Sequence, residues 1–381
     1  MHTSIISEDR AVNEKKPVIG VWHRPNSSER ETSLEQLCRL LDDFKSAGIN
    51  MVFLETFYHG MSVFKTEMIP YNTDFEKFSY GEYPDYVTAF AVEAKKRGIT
   101  VHAWMQDFYV GVEEDNPFVR DHMDWMLINQ AGSIRHTTEG HGFGGYLFLD
   151  PSNAEARNYL VKFYDQLLTE VPEIGGLNLD YIRYPISIFE EDTDTGYTET
   201  SMREFSERYG LLLSKDNMRE DLNLKIKENN LINEWVAHRS EYITSFIRQV
   251  REMVDNNHKG RLISTAVFPE IELTYQIKKQ NIKAWVDNKY IDMVTPMVYS
   301  YEAHQVFESV KKLKALCGDI NCYTGLYTTY HNQSVTELAE HIKASADAGA
   351  EGFILFDAAK TFFEAKEDYM SFLSKEFGNK K

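Results

Sequence analysis

Polar and ionisable side chains recur just after short apolar runs along this chain. They include His23 and Arg24, Glu55, Gln106 with Asp107, Asp180, Glu270 with Glu272, Tyr299, Tyr301 and His304, Tyr327, and Asp357. Paired carboxyl groups of this kind suit cleavage of a glycosidic bond. One protonates the leaving oxygen and the other acts as nucleophile or base. Asp180 is expected to be the nucleophile or base. Its expected partner acid is Glu270, just beyond Pro269, with Glu272, Asp357, Asp107 and Glu55 as weaker candidates. Arg183, three residues after Asp180, could hold a substrate hydroxyl or keep Asp180 ionised, because an adjacent cation favours the charged form. Trp22, Glu55, His102, Gln106, Asp107, Asn178, Tyr299, Tyr301, Tyr327 and Asp357 are expected to contact substrate together with Arg183.

The elements that must position these residues read as a parallel α/β protein. Eight strands are expected at Val18–Trp22, Asn50–Glu55, Thr100–Met105, Gly176–Tyr181, Arg261–Phe268, Asp292–Val298, Asn321–Leu326 and Gly352–Phe356. Amphipathic helices are expected at Ser33–Ala47, Pro84–Arg97, Glu155–Thr169, Ile232–Val254 and Leu338–Ala348. Gly48, Gly98 and Gly349 each close a helix just before a strand begins. Eight such units favour a closed (β/α)8 barrel over a doubly wound sheet, and Trp22-His23-Arg24-Pro25 stands where a Gly-rich phosphate loop would. Long excursions after the third and fourth strands, Asp107 to Ala154 and Tyr184 to Asn230, fall on the face where barrel enzymes work. The acidic stretch Glu190–Thr200 reads as a lid or a solvated bulge. In the fourth strand Leu177 and Leu179 share one parity and belong against the helices. Asn178 and Asp180 therefore point inward, with Asp180 at the rim.

Composition narrows the function classes. A formal net charge of −18 disfavours nucleic acid and anionic membrane surfaces. Cys38, Cys317 and Cys322 show no metal spacing, and their odd count argues against a disulfide framework. The chain has no GxSxG elbow, HExxH helix, CxxC or Walker loop. No cofactor or metal is expected. His136 and His141, flanking the glycines of Gly140 to Gly145, read as a loop rather than a metal site. Residues 1–17 are expected to be flexible and 18–376 to form one barrel domain. No export signal is evident, which suggests a cytoplasmic protein, or an exported one if the N-terminus has been trimmed. The expected partner is a carbohydrate, with no protein partner implied.

Gly175-Gly-Leu-Asn-Leu-Asp-Tyr-Ile-Arg-Tyr-Pro185 resembles the signature of the glycosyl-hydrolase-like family 10, formerly a domain of unknown function numbered 187. Val101-His-Ala-Trp104, Leu149-Asp-Pro151, Pro84-Asp85 and the pair Trp235 and Arg239 resemble lesser motifs of that family. The resemblance implies a TIM-type barrel that hydrolyses glycans. It places the signature Asp at Asp180 and the signature Arg at Arg183, and it makes an amino-sugar polymer, such as bacterial peptidoglycan stripped of its peptides, the substrate to test first. Many members carry Gln in the second strand where this chain has Glu55, and an Asn-containing segment where it has Gln106-Asp107. A glycan-binding barrel without catalysis is the alternative. A barrel acting on sugar phosphates is disfavoured, because the last two strand ends supply only Lys360 as a cation.

Overall fold

The structure, a computed structural model, describes residues 17–27, 30–137, 145–189, 193–300, 302–328 and 333–378. Eight parallel strands form its centre: β1 (Val18–His23), β2 (Met51–Tyr58), β3 (Thr100–Gln106), β4 (Ile174–Asp180), β5 (Leu262–Val267), β6 (Met293–Pro296), β7 (Asn321–Tyr327) and β8 (Gly352–Phe356). Each pairs with the next, and β1 also pairs with β8, so the sheet closes into a (β/α)8 barrel. Helices alternate with the strands on the outside, among them Leu34–Ser46, Tyr86–Lys96, Ala154–Glu170, Ile232–Asn257, Ala303–Cys317 and Val335–Asp347.

Local chemistry sets these boundaries. Ser33 Oγ accepts the Gln36 amide, and Asp85 accepts the Thr88 amide at 2.8 Å, each satisfying a donor that the first helical turn would leave bare. Gly48 and Gly98 take φ of +81° and +73°, the left-handed turn that returns the chain to a strand within two residues.

Parity then sorts the side chains. Leu177 and Leu179 pack in the outer core with Leu160, Phe163 and Leu167 of the Ala154–Glu170 helix. Trp22, Met51, Phe53, Trp104, Ala266, Met293, Tyr323 and Ile354 fill the barrel. Among them lies Asn178, whose amide oxygen accepts from Trp22 Nε1 (3.0 Å) while its nitrogen donates to Ser264 Oγ (2.8 Å) and Thr295 Oγ1 (3.3 Å). One amide thus ties four strands, with every polar atom of the knot paired. Gly176 in the same strand has a steric reason: a Cβ there would lie 2.1 Å from the Leu262 carbonyl oxygen, so a larger residue would push β5 away.

The excursion after β3 carries a three-stranded antiparallel sheet, Tyr109–Gly111, Tyr146–Phe148 and Arg135–His136. The excursion after β4 folds helices Glu199–Tyr209 and Met218–Glu228 around a small core of Tyr197, Met202, Phe205, Leu222, Ile226 and Trp235. Asp194, within the stretch read as a lid or solvated bulge, is instead fully buried and pairs with Arg239 at 2.6 Å. Residues 1–16, Glu190, His141 and Tyr301 lie outside the described residues. Among the described residues no helix is long and apolar enough to cross a membrane, and no group of three or more His, Cys, Asp or Glu could hold a metal.

Candidate active site

Three carboxyl groups meet at the C-terminal mouth of the barrel, where enzymes of this architecture place their chemistry. Asp180 ends β4, Glu55 lies near the end of β2, and Asp357 follows β8; all three are buried. In the register, Glu55 faces Trp104 of β3, and Gln106 of β3 faces Asp180. A bulge follows at once, between Glu55 and Phe57, where the β2–β3 register slips. Such bulges re-aim side chains at barrel rims.

Asp180 is surrounded by donors. Trp104 Nε1 donates to Oδ2 at 2.9 Å and the Tyr181 amide to Oδ1 at 2.6 Å, with Tyr181 held at φ +50°. Arg183 is buried between the Tyr181 and Phe268 rings, each 4.6 Å from its Cζ. Burial raises the proton affinity of Asp180, and Arg183, the Tyr181 amide, Trp104 and Arg24 oppose that rise without cancelling it. Burial also lowers the Arg183 pKa, but a guanidinium remains a cation at physiological pH.

Glu55 has less support for its charge. Gln106 Nε2 donates to Oε1 at 2.7 Å, and Arg24 Nε lies 3.5 Å from the same oxygen. Burial is the largest influence, and the nearby Asp180 and Asp357 charges reinforce it. Arg24 and Gln106 counter only part of this, so the Glu55 pKa rises from 4.5 to about 7. Two carboxyls at one rim therefore have different environments, a usual arrangement for separating acid from base.

An aromatic bank borders the carboxyls. Tyr299 lies 4.6 Å from Tyr327 and 5.5 Å from Phe356, and the Tyr327 and Phe356 rings stack within 13° at 5.7 Å. These three rings are half-buried, an exposure that suits contact with a sugar face. Tyr109 stacks on Tyr181 at 4.7 Å on the β3–β4 side.

Several residues expected at the site lie elsewhere. Glu270 is exposed at the start of helix Ile271–Lys278, and Glu272 is exposed on it; Phe268, not either glutamate, reaches Arg183. Asp107 has the outward parity, is fully buried, and accepts a hydrogen bond from Tyr164 of the helix layer. Trp22 and Asn178 belong to the barrel filling, with Trp22 1% exposed and Asn178 fully enclosed. His102 points inward but sits four residues below Gln106, about 13 Å down the strand, against Phe53. It is fully buried, and burial lowers its pKa to about 4, so it belongs to the barrel floor and not to a sugar-binding surface. Asp180, Arg183, Glu55, Gln106, Asp357, Tyr299 and Tyr327 do come together. Trp104, Tyr181 and Phe356 join them although the sequence reading does not name them among the site residues, and Arg24 takes a larger part than its place in the sequence suggests. Trp104 shares its parity with Gln106, a signal that the sequence does carry.

The Glycosyl hydrolase-like 10 profile matches residues 17–345 of the chain. An S-layer-related protein of Niallia circulans is 27% identical over 198 residues, covering 48% of this chain and 12% of that protein. Glycosyl hydrolase DigH of Escherichia coli K12 is 25% identical over 168 residues, covering 43% of this chain and 38% of that protein. The chain thus matches well under two thirds of the length of either relative. Among solved structures, the catalytic domain of β-amylase from Paenibacillus polymyxa superposes with a TM-score of 0.61 at 10% identity, covering 94% of this chain and 97% of the other. β-Galactosidase from Bacillus circulans sp. alkalophilus superposes with a TM-score of 0.62 at 13% identity, covering 95% and 55%. At such identities the likeness is one of fold, shared here with glycosidases. The profile match spans most of the chain, including the strand that carries Asp180 and the Arg183 just after it, and on that match the chain belongs to the Glycosyl hydrolase-like 10 family.

Proposed function

We propose that this protein hydrolyses glycosidic bonds of a glycan, with Asp180 as nucleophile or base and Glu55 as general acid. The observation that carries the reading is the contrast between two buried carboxyls on one rim. Burial raises both, but donors aimed at both oxygens of Asp180, with Arg183 beside it, oppose the rise there, whereas Glu55 is left with a pKa of about 7 and holds a proton in a large fraction of molecules at neutral pH. The strands that bear them flank β3, so their backbones are separated by about two inter-strand spacings, roughly 10 Å. Inward-reaching side chains from such positions suit the carboxyl separations that glycosidases use. Gln106 orients Glu55, Arg183 favours the charged form of Asp180, and Tyr299, Tyr327 and Phe356 offer ring faces to the sugar.

The test is a panel of glycans incubated with purified protein, with released fragments read by mass. Peptidoglycan stripped of its peptides comes first, since the family resemblance implies an amino-sugar polymer. Release by the wild type, abolished in Asp180→Asn and in Glu55→Gln, supports the reading. Binding without release by the wild type would refute catalysis and leave a glycan-binding barrel.

A further inference from the structure

Two arginines face the carboxyls, and they are held very differently. Arg183 is buried between two rings, while the Arg24 side chain is 47% exposed. The backbone beside Arg24 is anchored: His23 Nε2 lies 2.6 Å from buried Glu31, which also accepts from Tyr86, and Pro25 follows. The freedom of Arg24 therefore lies in its side-chain torsions. Its guanidinium rests over the mouth, with Cζ 5.3 Å from both the Trp104 and the Phe356 ring centroids and Nε 3.5 Å from Glu55. A sugar ring lying on Phe356 within reach of Asp180 and Glu55 would compete with the guanidinium for that volume.

Resting on the hydrolase reading, we propose that Arg24 is a displaceable positioning cation: in the free protein it neutralises Glu55, and a sugar ring entering over Phe356 and Trp104 drives it off, so that Glu55 takes a proton from solvent and becomes the acid. The groups facing Glu55 from neighbouring elements agree with this. Arg24 on the β1 side is the cation that opposes the rise in its proton affinity. Asp180 and Asp357 on β4 and the β8 end are anions, Gln106 on β3 is a neutral donor, and Tyr58, Tyr109 and Tyr181 stay neutral, with pKa values above 10. Once Arg24 leaves, two anions and burial remain, and all three favour the proton. The substrate thereby protonates its own catalyst, and free Glu55 stays ionised in a larger fraction of molecules.

Two readouts test this. In free protein labelled with glutamate carrying 13C at the δ position, the Glu55 carboxyl resonance, assigned by its loss in Glu55→Gln, is titrated in the wild type and in Arg24→Met. At least a tenfold gain in proton affinity is expected in Arg24→Met, with most of it reversed in Arg24→Lys. A change under twofold would overturn the proposal. On any glycan that the wild type cleaves, the alkaline limb of kcat/KM reports the free protein and that of kcat the complex. Arg24→Met should move the first limb to higher pH and leave the second in place. Movement of both together would show that Arg24 stays beside Glu55 in the complex and would overturn displacement. Release of nothing from any glycan by the wild type is a failure of the hydrolase reading, and the carboxyl titration then decides the proposal alone.

Discussion

Replacing Glu55 with glutamine should change how stability depends on pH, by an amount that follows from the burial of its carboxyl. Folding raises the Glu55 pKa from 4.5 to about 7. At about 1.4 kcal/mol per tenfold in proton affinity, that rise corresponds to between about 3 and 4 kcal/mol. The sign is fixed by linkage. Between these pH values the folded protein keeps a proton that the unfolded chain has released, so stability falls as pH rises from 4.5 and the loss levels off above 7. The glutamine side chain of the variant cannot titrate, yet its amide oxygen can still accept from Gln106. Subtracting the variant from the wild type cancels the titrating groups that do not interact with Glu55. In urea unfolding from about pH 5 to about pH 8.5, Glu55→Gln should gain between about 2 and 3 kcal/mol on the wild type, most of it before about pH 7.5. A pH-independent difference, or a wild type that gains on the variant as pH rises, would refute the reasoning that burial keeps the proton on Glu55.

Three further outcomes follow from the geometry. Trp104→Phe removes the indole donor to Asp180 Oδ2; a hydrogen bond to a charged group is worth about 1.5–3 kcal/mol, so turnover should fall roughly 10- to 100-fold and its acidic limb should move to higher pH, measured in pH–rate profiles. Asn178→Leu leaves Trp22 Nε1, Ser264 and Thr295 without their shared partner and should cost about 2–4 kcal/mol in denaturant unfolding. Glu270→Gln, at an exposed helix start, should leave turnover within about twofold of wild type, since a surface substitution away from the chemistry has little to act on; a large loss in a steady-state assay would return Glu270 to the site.

The sequence carries direction well and depth poorly. The strand pattern and the glycines at 48, 98 and 349 suffice to read the eight β/α units, and the alternation of Leu177 and Leu179 with Asn178 and Asp180 tells inside from outside. Parity does not report height along the barrel axis. Trp22, His102 and Asn178 point inward, but they lie in the packed filling beneath the mouth. For Asp107 the same alternation, with His102, Trp104 and Gln106 on one parity, already points outward toward the helices, where Tyr164 meets it. Glu270 and Glu55 are harder. Pro269 suggests that Glu270 overhangs the mouth, but a helix starts at Ile271 and leaves the carboxylate in solvent. Glu55 is visible as a strand-end carboxyl, but what singles it out is burial, the bulge beside it, and charges from three other strand ends, none of them local in sequence.

The central claim is that Asp180 and Glu55 together cleave a glycan with water. It is tested most directly by running the reaction in 18O-labelled water and reading fragments by mass. The account predicts that wild-type protein releases fragments with one 18O at each new reducing end, and that Asp180→Asn and Glu55→Gln, folded to wild-type secondary structure, release none above background. Labelled fragments from Asp180→Asn at the wild-type rate would contradict it.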